Sequence, residues 1–110
     1  MPREYKVYLA DILSAIGKIE KYSKNLDLSN FSSNELIIDG IVRNLEIIGE
    51  AVKNIPPTIK SKHKKIEWKK IAGLRDILIH EYFGVDPEIL WDIVKNKIPD
   101  LKIKIRDILT

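Results

Sequence analysis

A chain of 110 residues, 45% hydrophobic and 32% charged, is one domain's worth and has enough apolar mass for a core of its own. It has no cysteine, which excludes a disulfide framework and a thiolate metal site, and no stretch approaches the roughly 20 apolar residues of a membrane span. The net charge of +3 permits RNA binding without arguing for it. The opening run MPREYKVYLAD mixes charges into its first turns, so no signal peptide and a cytoplasmic setting are expected.

Apolar residues recur with a helical period nearly throughout. Tyr5, Leu9, Ile12, Ile16 and Ile19 mark a first helix over residues 4–24, and Asn25–Ser33 reads as a polar loop. Ser32 with Glu35 three residues on reads as a capping box, with Phe31 as the staple residue before it. The second helix, 34–54, carries a stripe of Ile37, Ile41, Leu45, Ile48 and Val52 and ends at Pro56-Pro57. Residues 58–66 are short and lysine-rich and read as one loose turn. A third helix runs from Glu67 to Ile79 or beyond, and Gly84 marks a break. Asp86-Pro87-Glu88 opens a fourth helix over 87–109 with an N-cap, a first-turn proline and an acid at the positive end; Pro99 is expected to kink or split it near Asn96–Ile98. The expected fold is all-α, a single domain over 1–110 built as an antiparallel four-helix bundle.

Some residues fit a plain bundle poorly. On a wheel of about 100° per residue, Arg75 and Tyr82 fall in the apolar sector of the third helix with Trp68, Ile71, Leu74, Leu78 and Ile79. A charge there needs a partner, so Arg75 is either a structural arginine paired with an acid from another helix or part of a site. Asp76 and His80, at i and i+4, let a carboxylate orient an imidazole; a surface ion pair has the same spacing. His80 stands about 140° around the helix from Arg75, so a joint site requires fraying near Ile79, a bent arginine or a second subunit; fraying together with dimerisation is expected. On the second helix Asp39, Arg43, Glu46 and Glu50 share a stripe, beside Gly40, Asn44 and Ala51, which allow close helix approach. Asp39 and Arg43 read as a solvated face; Glu46 and Glu50 are the candidates to pair with Arg75 or line a groove. They could also bind a metal, but the usual Glu-x-x-His partner motif is absent, and no metal is expected. Lys62, Lys64, Lys65 and Lys69 belong to the densest positive run, suited to phosphate contacts, in which Trp68 serves the core or stacks a base.

The run Arg75-Asp76-Ile77-Leu78-Ile79-His80-Glu81-Tyr82 matches an Arg-x4-His-x-Tyr signature, and the chain resembles the HepT-like toxins of the HEPN superfamily. The segments IVRNLEIIGEAV (Ile41–Val52), WKKIAGLRD (Trp68–Asp76) and Gly84-Val85-Asp86 into Leu90-Trp91 resemble that family's second helix, its approach to the motif and the start of its last helix. The resemblance implies a homodimer whose motif residues meet in a cleft between subunits. It implies a metal-independent, cofactor-free endoribonuclease, the toxin of a type VII-like toxin–antitoxin pair with tRNA as the expected substrate. Its partner would be a minimal nucleotidyltransferase antitoxin that silences it by attaching AMP to Tyr82. Under that resemblance His80 is the general acid or base, Arg75 stabilises the phosphate, Asp76 orients His80 or shapes the site, and Tyr82 sits near the phosphate. Two other functions remain open: a non-catalytic subunit that docks a nucleotidyltransferase and positions its substrate, and a nucleotide-binding bundle.

Overall fold

In a computed structural model, which describes residues 4–81 and 85–110, the chain is all-helical; among the described residues there is no strand. Helix α1 is Tyr5–Ser23, α2 Leu28–Ser32, α3 Glu35–Lys53, α4 Pro57–Lys62, α5 Trp68–Glu81 and α6 Pro87–Asp92; a π-helical turn at Ile93–Lys97 leads into α7, Ile98–Leu109. No helix among the described residues is long and apolar enough to cross a membrane.

Each long helix forms because its apolar residues line a face that another helix can cover. Leu9, Ile12, Ile16 and Ile19 of α1 are fully buried, and they face α3, which packs against α1 on one side and α5 on the other. Serving two neighbours, α3 buries more than one stripe: Val42, Asn44 and Ala51 are buried along with Ile41, Leu45, Ile48 and Val52, while Ile37 is half-buried. Full burial of one such isoleucine or leucine contributes about 1.5–3 kcal/mol. Trp68 is also core, and its indole Nε1 donates to the His63 carbonyl at 3.1 Å, so its one polar atom is satisfied inside the fold and it offers no stacking surface.

The segment after α1 departs from the sequence expectation. Asn25, at φ 63°, takes the left-handed conformation that Asn tolerates and ends α1. The expected polar loop then contains α2, capped by Asp27, whose Oδ1 accepts from the Asn30 N–H at 2.8 Å. Because α2 occupies Ser32, that hydroxyl donates to the Leu28 carbonyl at 2.7 Å and forms no capping box. Asn34 caps α3 instead, accepting from the Ile37 N–H at 3.0 Å. Phe31, read as a staple residue, is fully buried with its ring 5.0 Å from that of Trp91 in α6.

Residues 58–66 are more ordered than one loose turn, since Pro57 opens α4 from its first-turn position. The last helix is split by the π-helical turn just before Pro99. Proline lacks the N–H that would bond the Lys95 carbonyl, and its ring crowds that oxygen; the wider turn, closed by the Ile98 N–H on the Ile93 carbonyl, makes room. Helix α5 does not fray near Ile79. Leu78, fully buried, anchors its last turn, and the helix continues through Glu81.

Candidate functional site

The seam between α3 and α5 places Arg75. Gly49 on α3 makes it possible: a methyl there would overlap the Arg75 Cβ and stand 3.2 Å from the Ile71 carbonyl oxygen. With only hydrogen at that position α5 lies close on α3, and the arginine crosses toward the C-terminal turns of α3. Its Nη2 meets Glu50 Oε2 at 3.2 Å, and its Nη1 donates to Asp76 Oδ1 at 3.1 Å. The Arg75 side chain is 30% exposed, partly shielded yet open to solvent on one side.

Asp76 is the hinge of this cluster. Its Oδ1 accepts from Lys53 Nζ at 2.8 Å as well as from Arg75. The Lys53 ammonium and then the Arg75 guanidinium hold its carboxyl below the usual carboxylate range. Two acids and two cations from α3 and α5 thus form one chain, Glu50–Arg75–Asp76–Lys53. No hydrogen bond or ion pair joins Asp76 to His80 among the described residues, because the carboxylate faces α3. His80 is exposed, on the last turn of α5.

Arg75 opens into a cleft of about 420 Å³ between α1, α3 and α5. Glu46, Glu50 and Arg43 line it from α3, Tyr8 and Asp11 from α1, and Ile79 from α5. His80 is not among its lining residues, and it stands about 140° around α5 from Arg75, so the two face different directions. Tyr82 lies outside the described residues. Among the described residues no three His, Asp or Glu side chains converge as a metal site. Lys62, Lys64, Lys65 and Lys69 are exposed and border two other hollows, away from this cleft.

Sequence reasoning passed over Tyr8, Asp11, Lys53 and Asn54, which also lines the cleft from the C-terminal end of α3, and assigned Arg43 to a solvated face. Arg43 shares the Glu46–Glu50 stripe, which was the available signal. Tyr8 and Asp11 flank the α1 core stripe and become visible only once α1 is laid against α3. The close approach allowed by Gly40, where a methyl would stand 3.3 Å from the Tyr22 ring, is looser than the one at Gly49.

A family model described as "Ribonuclease HepT-like" matches residues 12–108. The chain belongs to the HepT-like ribonuclease family. A HepT-like relative from Thermococcus cleftensis, named "Probable ribonuclease HepT", is 46% identical over 104 residues, covering 94% of each chain. A "Putative RNase" of Caldanaerobacter subterraneus subsp. tengcongensis is 43% identical over 102 residues, 93% of this chain and 91% of the relative. A Methanocaldococcus jannaschii protein named "Gamma-glutamylcyclotransferase and putative RNase" is 43% identical over 109 residues, but there this HepT-like chain spans only 49% of the relative's length. No solved structure matches.

Proposed function

We propose that this HepT-like chain is a metal-independent endoribonuclease, working as a homodimer and as the toxin of a type VII-like toxin–antitoxin pair, with tRNA as its substrate. The observation that carries the reading is Arg75, held by Glu50 and Asp76 at the mouth of a polar cleft, on the same helix as an exposed His80.

RNA carries its own nucleophile. The 2′-oxygen attacks phosphorus, a 2′-O–P bond forms, and the P–O5′ bond breaks. One proton must leave the 2′-hydroxyl and one must reach the departing 5′-oxygen. His80 acts as the general acid or base for one of these transfers and solvent water carries the other proton, while the planar fork of Arg75 stabilises charge on the crowded phosphorane. Asp76 and Glu50 hold that fork in position. The different directions of Arg75 and His80 within one subunit are reconciled if each site joins Arg75 of one copy to His80 of another. The cleft carries both signs, Arg43 and Arg75 against Asp11, Glu46 and Glu50, as a self-complementary twofold interface needs. AMP attached to Tyr82 by a nucleotidyltransferase partner would place a bulky anion beside the motif and block substrate phosphate.

The experiment is incubation of phosphodiesterase-treated protein with total tRNA in EDTA, alongside His80→Ala. Cleavage by the wild-type chain alone is the expected result. No cleavage by either, with Tyr82 unmodified by intact mass, overturns the reading.

One observation favours a second reading. Arg75 already has two carboxylate partners, so its charge is spent inside the protein, as in a structural arginine. On that reading the chain is a non-catalytic subunit that docks a nucleotidyltransferase. It predicts partner binding with no tRNA cleavage and no toxicity on expression without the partner.

A further inference from the structure

A second cavity, about 250 Å³, opens on the side of α3 away from the Arg75 cleft. Its walls are aliphatic: Leu45 from α3, Ile66 from the link before α5, Ile71 and Leu74 from α5, and Ile98 and Leu101 from α7. Its volume falls below the roughly 300–1,000 Å³ of pockets for drug-sized ligands, which suits a single flat ring. Lysines from three elements stand around the mouth: Lys70 of α5, Lys97 of the π-helical turn and Lys104 of α7. Lys70 is paired with Glu67 at 2.7 Å and Lys104 with Asp100 at 2.8 Å, whereas Lys97 makes no ion pair with a described residue.

The lysines continue beyond the mouth. Lys70 also borders a hollow with Lys60, Lys64 and Lys69, and Lys104 borders another with Lys62 and Lys65. These three adjoining hollows hold eight lysines against Glu67, Asp100 and Asp107, a surplus of positive charge larger than the +3 of the whole chain. The Arg75 cleft, by contrast, has three carboxylates against two arginines. A polyanion is therefore drawn to the lysine face, and the local field is strong enough that Lys70, and more weakly Lys97 and Lys104, lower the Glu67 pKa.

We propose that this aliphatic pocket receives one unstacked base of the RNA, with Lys97 on the neighbouring phosphate, so that it selects which stretch of strand is held. The inference rests on the ribonuclease reading and adds a recognition subsite to it. Single-stranded RNA is read by splaying bases into such pockets while cations hold the backbone. The pocket is built from α3, α5 and α7 at once, and the π-helical turn, a feature frequent at functional sites, supplies Lys97, which has no ion-pair partner among the described residues. Both this pocket and Arg75 border α5, a helix only about 10–12 Å across with its side chains, so one strand can touch both.

The test uses the full chain in EDTA with a fluorescein-labelled single-stranded RNA carrying 4-thiouridine. Irradiation should crosslink the peptide holding Ile93–Lys97. Ile93→Trp, which fills the pocket from its half-buried rim, should weaken binding about tenfold with an unchanged circular dichroism spectrum. Lys97→Ala, at an exposed position that does not threaten folding, should lower the slope of log Kd against log salt by about 0.7. Crosslinks confined to the Arg75 cleft, or unchanged affinity and salt slope in Lys97→Ala, overturn the proposal. So does a protein partner that loses binding to Lys97→Ala while RNA does not. tRNA cleavage is scored separately: cleavage that persists with an unchanged Kd in both variants sinks the pocket alone. Absent cleavage with the expected crosslinks and Kd shifts sinks the ribonuclease reading alone.

Discussion

At the scale of single residues, Gly49 and Arg75 are one feature. Gly49→Ala would push α5 off α3 at the Arg75 Cβ and the Ile71 carbonyl, and backbone cannot swing aside as a side chain can. It should cost about 1–3 kcal/mol. Gly17, exposed on α1 with nothing within 4 Å of an added methyl, should behave oppositely: Gly17→Ala should gain about 0.5–1 kcal/mol from helix propensity alone. Urea melts of both variants check the pair; equal signs would mean that the α3–α5 contact at Gly49 is not the tight one. Arg75→Lys keeps the charge and loses the fork that spans Glu50 and Asp76. It should lower tRNA cleavage by about 10²–10³-fold while the thermal midpoint moves little.

At the scale of elements, α3 and α5 are joined by the chain of Glu50, Arg75, Asp76 and Lys53. Asp76 has its pKa depressed by Lys53 and Arg75, so its contribution is complete above the ordinary carboxylate value of about 3.9 and is lost as pH falls through the lower folded value. The stability difference between the wild type and Asp76→Asn should thus be constant from pH 7 to about pH 5 and shrink toward zero in stronger acid. Denaturant titrations at several pH values measure it; a difference that grows in acid would reverse the assigned cause. The last helix shows what element boundaries can and cannot reveal. Pro99 announced a disturbance, but a break, a kink and a π-helical turn all satisfy a proline, and burial of Leu90 before the turn, Val94 within it and Ile98 and Leu101 after it decided among them.

At the scale of the whole molecule, the proposed site draws Arg75 and His80 from different copies. Equal amounts of inactive Arg75→Ala and His80→Ala proteins, mixed and allowed to exchange, should recover about a quarter of wild-type tRNA cleavage, because each mixed dimer regains one intact site. No recovery, with exchange verified by native mass spectrometry, would place both residues in one subunit's site.

The helices were legible in the chain because their signals are local: apolar spacing along α1, α3 and α5, and the Asp86-Pro87 start of α6. The run Arg75–Tyr82 and its flanking segments carried the family in the same local way. Where a distant contact intervened, local reading failed. Ser32 was read as the N-cap, but the burial of Phe31 against Trp91, sixty residues on, favoured α2 and left the cap to Asn34. The site was legible as residue types but not as an arrangement. Glu50 meets Arg75 and Lys53 takes Asp76 because Gly49 lets two helices approach, a contact between positions far apart in sequence. The same holds for Lys97 and Lys104, which join Lys70 around one pocket only after α7 folds back. Local periodicity sets which face of a helix is apolar; only the packing of those faces decides which charges are left beside one another, and that the tertiary structure alone determined.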